Sequence, residues 1–250
     1  MKLIYIHIPK TAGSSLSNYL FNSTKSGLWL RNGELDAQLR SLWDLDYLAG
    51  HFTRDELFSW IKREGLDYSG TRLVTIIRHP LEQLHSNLSF PFELQRRGVK
   101  IQEPWMLDML RIDLKSPNEL CNFLNRHRWL LNLQWQYIVS GLSFEEAIQH
   151  FAHISIFPSL QQSIIYAAST LTAYPSIKYG LHENRSLSKS LDKNLFHQNG
   201  LRELLINEHR LDMELYISLI RERLSMLGIS SALQFVPNTP DELFQKWLSS

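Results

Sequence analysis

The chain lacks most of the features that would assign it quickly. It has one cysteine, Cys121, in 250 residues. A lone thiol cannot close an intrachain disulfide, so packing must hold the fold. Its setting, Leu120-Cys121-Asn122-Phe123-Leu124, is apolar and reads as core rather than as the surroundings of a nucleophile. No apolar run approaches the roughly 20 residues that span a bilayer. Net charge is only +1, which removes any bulk-charge argument for nucleic acid or an anionic membrane. An anion site must come from local clustering. There is no cysteine cluster and no H-E-x-x-H, so no metal is expected. The G-x-x-x-x-G-K-[ST] loop of phosphate-binding NTPases is missing too, as are internal repeats, low-complexity tracts and interdomain linkers.

What is present is an ordinary globular composition, 44% hydrophobic and 20% charged, enough for one domain with a substantial core. The first seventeen residues are the most informative. Leu3 to Ile8 is apolar and β-branched and predicts a strand. Pro9 has no N–H to give a ladder and stops it. Lys10-Thr11-Ala12-Gly13-Ser14-Ser15 is a loop of small and hydroxyl residues, and Leu16, Tyr19 and Leu20 begin a helix of about 14–24. Strand, small-residue loop, helix is the arrangement that aims backbone N–H groups and a helix dipole at an anion. Lys10 adds a full charge, and Thr11, Ser14 and Ser15 add hydroxyls. The lysine comes first in this loop, so it meets its ligand at the strand end.

A second such unit follows. Leu73-Val74-Thr75-Ile76-Ile77 predicts a buried strand, ended by Arg78-His79-Pro80 and followed by a helix from Leu81. Between the two units, Tyr47 to Phe52 predicts a short strand ending at Gly50-His51. Thr53 with Glu56 forms a capping-box signature for a helix over 54–64 that Gly65 ends. Strands alternating with helices imply parallel pairing and an α/β layer fold. Ligands in such sheets bind beyond the carboxyl ends of the strands, which is where Lys10, His51 and Arg78 would stand.

Ile8-Pro9-Lys10-Thr11-Ala12-Gly13-Ser14-Ser15-Leu16 resembles the 5′-phosphosulfate loop of carbohydrate sulfotransferases, which use 3′-phosphoadenosine 5′-phosphosulfate (PAPS). Leu73 to Phe90 resembles the 3′-phosphate segment of the same family: a strand, R-D/H-P, then a serine. His79 stands where the family most often has Asp, and Leu88 where an aromatic is common. The resemblance implies a P-loop-like three-layer α/β fold with a central parallel sheet and a largely helical C-terminal half. It implies a single domain over 1–250, with a nucleotide core at 1–92 and an acceptor side with a nucleotide-covering loop beyond. Pro9, Lys10, Thr11, Ala12, Gly13, Ser14 and Ser15 would bind the cofactor's 5′ end. Arg78 and Ser86 would hold its 3′-phosphate, and Arg185 with Ser186 would cover it. Lys10 would meet the charge on the leaving oxygen, and no metal is required.

The acceptor hydroxyl must lose its proton. A G-H pair between the two motifs supplies the base in the heparan/uronyl 2-O-sulfotransferase branch, and Gly50-His51 matches it. An imidazole with an ordinary pKa near 6.5 suits a base at neutral pH. His7 reads as structural, and Glu34, Asp36, Asp55 and Glu56 are the rival bases. The expected acceptor is a saccharide or polysaccharide. Eukaryotic members of the family carry an N-terminal anchor. Here Met1 leads directly into the first motif, so a bacterial-type cytoplasmic enzyme is the expectation. The alternatives are a P-loop-type kinase or NTPase, against which Arg78 stands where a Mg²⁺-holding carboxylate would be needed, and a non-catalytic nucleotide-fold binding protein.

Further along, Asn22 to Gly33 reads as a loop turning at Ser26-Gly27. Ser116 and Ser143 predict helix caps, and 154–157 predicts a late strand. The stretch 159–169 predicts a helix and 174–185 a loop. Residues 200–227 predict one long amphipathic helix ended by Gly228, and a short helix lies near 240–248.

Overall fold

The computed structural model describes residues 3–11, 16, 20, 26–30, 35, 43–157 and 191–249. The chain divides into two compact units, residues 1–78 with 134–184 and residues 79–133 with 185–250. The strands are β1 (Leu3–Ile6), β2 (Gly27–Leu30), β3 (Tyr47–Gly50), β4 (Arg72–Ile77) and β5 (His153–Ile156). The helices among the described residues are α1 (Arg54–Glu64), α2 (Pro80–Arg96), α3 (Pro104–Met109), α4 (Pro117–Arg126), α5 (Leu133–Ile138), α6 (Phe144–Gln149), α7 (Asn199–Glu208), α8 (Arg210–Met226) and α9 (Pro240–Leu248).

The five strands among the described residues all lie in the first unit, in the order β2-β3-β1-β4-β5, and every neighbouring pair is parallel. A parallel sheet must be covered on both faces, and β1 and β3 are buried at every position. On one face Leu3, Tyr5, Tyr47, Ala49, Val74 and Ile76 pack with Leu16 and Leu20, both of which are helical. Alternate residues Ile4, Ile6, Leu48, Leu73 and Ile77 are buried as well. This is the α/β class expected, a central parallel sheet flanked by helices.

The caps form as local chemistry dictates. Thr53 Oγ1 accepts from the Glu56 N–H while Glu56 Oε2 accepts from the Thr53 N–H at 2.6 Å. Ser143 and Glu146 repeat the box at α6. Ser116 caps α4, with Pro117 at its first position. α1 also carries a buried clamp. Arg54 donates to the carbonyls of Ile138 and Val139 at 2.9 and 2.8 Å and to that of Ser140, and pairs with Asp55. These are carbonyls at the end of α5, which have no partner within the helix.

The second unit is helical. Its core includes Leu81, Leu84, Leu88, Phe123, Leu124, Phe196, Phe244 and Trp247, with Cys121 packed against it. Burial pushes the Cys121 thiol up, as for a core residue rather than a reactive one. Among the described residues no helix is long and apolar enough to cross a membrane.

Two expectations are overturned. Gly27–Leu30, read as part of a loop, is strand β2, pairing with β3. The cause is tertiary: a Cβ on Gly27 would lie 1.8 Å from the Tyr47 ring, so the glycine admits that ring rather than making a turn. The single helix read over 200–227 is two, α7 and α8, parted at His209. The His209 backbone leaves helical geometry (φ −101°, ψ 17°) and its ring is wholly buried. The predicted helix over 159–169 and loop over 174–185 lie outside the described residues.

Candidate active site

The strand order sets the site. β1 lies in the middle, with β3 on one side and β4 on the other. The chain leaves β1 for the β2–β3 side and then returns to build β4 and β5. Between β1 and β4 the winding reverses, and the carboxyl ends of strands at such a point form the ligand crevice of doubly wound sheets. The registers place Ile6 opposite Gly50 and opposite Thr75. His7–Lys10, His51 and Arg78 therefore leave three adjacent strands at one edge.

After β1 the chain turns at Pro9 and Lys10. Pro9 brings the φ that the second position of a tight turn requires. Lys10 takes φ +66°, the sign that a type II turn needs at the third and normally assigns to glycine. A lysine held there carries about 1–3 kcal/mol of backbone strain, a feature that clusters at functional sites. Thr11, fully buried, ties the turn down by donating Oγ1–H to the Ile8 carbonyl at 2.9 Å. Thr75 Oγ1 donates to the Ile6 carbonyl at 2.8 Å, locking β4 to β1.

Arg78 follows β4 directly. Its backbone is gripped by the buried Gln134 amide: the Arg78 N–H donates to Oε1 at 2.7 Å, and Nε2 donates to the Arg78 carbonyl at 3.0 Å. Its guanidinium lies 5.1 Å from the Phe157 ring centroid. Nη1 donates to the Lys10 carbonyl at 3.3 Å. The two cationic residues of the candidate anion site are thus in direct contact through side chain and backbone.

His51 follows Gly50. A Cβ on Gly50 would lie 2.8 Å from the Leu30 carbonyl oxygen and 2.9 Å from Leu30 Cβ, so β2 approaches too closely for any other residue. The His51 ring stacks on His7, centroids 4.4 Å apart and planes 29° apart. Trp29 from β2 packs against both, at 4.9 and 5.8 Å. His51 Nδ1 lies 2.8 Å from the His7 carbonyl oxygen. Burial lowers the His51 pKa, with the bond to His7 acting the other way. Burial, then the positive potentials of His51 and Lys10, hold His7 well below the usual imidazole range. Both shifts favour the neutral imidazole at neutral pH. Among the described residues His7 Nδ1 is buried without a hydrogen-bond partner.

Pro9, Lys10, Thr11, His51 and Arg78 thus share one edge of the sheet. Ser86 lies half-buried on α2, in the helical unit. Ala12, Gly13, Ser14, Ser15, Arg185 and Ser186 lie outside the described residues, as do the rival bases Glu34 and Asp36. The other two rivals are engaged: Asp55 by Arg54 and Glu56 by the Thr53 N–H. Sequence reasoning missed Trp29, Gln134 and Phe157. Trp29 was hidden by the loop reading of its strand. The polar Gln134 inside Leu131-Asn132-Leu133-Gln134-Trp135 was the one signal for that grip.

A scan against protein-family models finds no match, and a search of curated proteins finds no relative.

Proposed function

We propose that this chain is a PAPS-dependent sulfotransferase that moves a sulfuryl group to a hydroxyl of a saccharide or polysaccharide. The observation that carries the reading is the contact of Lys10 with Arg78 where the sheet winding reverses, with a neutral His51 on the neighbouring strand. The donor set suits a nucleotide bearing separate phosphates. Arg78 offers a planar fork, and Lys10 stands in a strained turn just ahead in sequence of the small and hydroxyl residues 12–15. When bound, the nucleotide would supply the phosphosulfate whose S–O bond breaks as the acceptor oxygen bonds to sulfur. His51 takes the acceptor proton. Lys10 meets the negative charge left on the departing phosphate. A preorganised charge of that kind is worth about 10²–10³ in rate.

Calorimetric titration with 3′-phosphoadenosine 5′-phosphate, without metal, tests the reading against ADP and ATP. Binding that requires the 3′-phosphate and weakens strongly in Arg78→Ala is expected. Lys10→Ala should abolish transfer while leaving much of that binding. A preference for ATP with magnesium would sink the proposal and favour a kinase or NTPase. Tight 3′-phosphate-dependent binding without turnover on any saccharide would indicate a non-catalytic binder.

A further inference from the structure

The His7–His51 pair goes a step beyond an assigned base, because it settles which nitrogen does the work. A carbonyl oxygen can only accept, so the 2.8 Å contact between the His7 carbonyl and His51 Nδ1 requires a proton on Nδ1. A neutral ring holds one proton, so Nε2 is left with its lone pair. Among the described residues Nε2 has no protein partner. The ring plane is fixed independently, by the His7 face at 4.4 Å and the Trp29 edge at 5.8 Å. His7 itself is only 7% exposed and stands in β1's own exit, whose backbone N–H is bonded to the Gly50 carbonyl at 2.9 Å. One residue therefore sets the tautomer through its carbonyl and the ring orientation through its imidazole, from a backbone held by both strands.

We infer that His51 rests as the Nδ1–H tautomer with Nε2 as its proton-accepting atom, and that His7 is the positioning residue that holds it so. The tautomer stands on the carbonyl contact and the neutrality that burial gives the ring, whereas the use of Nε2 as a base rests on the sulfuryl-transfer reading. The ring of His7 contributes shape and neutrality. Phe could supply the same face, and Ala could not.

The test is long-range ¹H–¹⁵N correlation of the histidine rings in the intact, nitrogen-labelled protein at neutral pH, with His51 assigned by loss of its signals in His51→Gln. The pattern of an Nδ1–H imidazole is expected. An Nε2–H pattern, or rapid averaging of the two tautomers, would overturn the inference even if the nucleotide binds. The expected pattern in a protein that binds no nucleotide would instead leave the tautomer standing and remove the sulfotransferase reading. For the ring, His7→Ala should lower kcat by up to about 10²-fold with the nucleotide KM unchanged, since small misplacements of a base cost that much. His7→Phe should restore it to within about threefold of the parent on the same scale. Equal kcat in all three proteins would overturn the positioning role. Because the spectrum is read on the unmutated chain, a variant that fails to fold leaves the inference testable.

Discussion

In the helical unit His209 is wholly buried and both its ring nitrogens are occupied. Nδ1 accepts the Asn132 N–H at 2.9 Å, and Nε2 donates to the Pro80 carbonyl at 3.3 Å. In the sheet unit, among the described residues, His51 bonds through Nδ1 only, and its neighbour His7 buries an Nδ1 with no hydrogen-bond partner. The first ring is a brace: it ties the break between α7 and α8 to the start of α2 and to the turn at Asn132. The second is held firmly on one side and left open on the other. A buried polar group without a partner costs about 1–3 kcal/mol, so an arrangement that leaves nitrogens unmatched marks a place where folding is not the only demand. The two histidines look alike in the sequence, and their unmatched nitrogens separate them.

Four substitutions bear on this contrast, the largest effect first. His51→Gln should reduce transfer by about 10²–10⁴ in kcat and shift the unfolding free energy by less than about 1 kcal/mol; a variant that unfolds but still turns over would reverse the contrast. In the parent protein, activity should persist below the ordinary imidazole value of 6.5 before its acid limb falls, because burial lowers the His51 pKa. Arg54→Met should destabilise by about 3 kcal/mol in urea titration, since it removes the buried guanidinium's hydrogen bonds to the carbonyls of residues 138–140 and leaves those of Val139 and Ser140 only the Leu142 N–H, while altering no group of the candidate site.

His209 makes a pH prediction. Burial depresses its pKa from 6.5 to about 4, so the unfolded chain binds the proton more readily than the folded one. The stabilisation is complete above 6.5 and is lost as pH falls from there toward about 4. Between about pH 7 and about pH 4.5 this one group should remove about 2–3 kcal/mol. His209→Asn should flatten that part of the denaturation profile, and an unchanged profile would show that the ring is no brace. Thr53→Ala should cost about 1 kcal/mol through loss of the α1 cap. Because α1 begins three residues after His51, its effect on activity measures how far local stability and site geometry are coupled.

Much of the site was legible because its parts are local. The turn at Pro9-Lys10, the end of β4 at Arg78 and the Gly50-His51 step are each written in a few consecutive residues, and alternation of strand and helix brings them to one edge by topology alone. The contact between Arg78 and the Lys10 carbonyl, the Gln134 grip and the stack on His7 were not legible, since each joins residues more than forty positions apart. The rival bases show the same limit from the other side. Asp55 and Glu56 are as acidic in the sequence as any candidate, and only the structure shows them engaged by the clamp and the capping box.

Short-range chemistry was therefore sufficient for the caps at Thr53, Ser116 and Ser143, for the α/β class and for the positions of Lys10, His51 and Arg78 at strand ends, because propensities and capping hydrogen bonds act within a few residues. Long-range packing decided the rest. It made a strand of Gly27–Leu30 by laying the Tyr47 ring over a glycine. It split a continuous apolar period into α7 and α8 by burying His209. It gave His51 a tautomer and a plane by setting His7 against it, a choice that rests on a carbonyl forty-four residues away and is invisible to any local pattern.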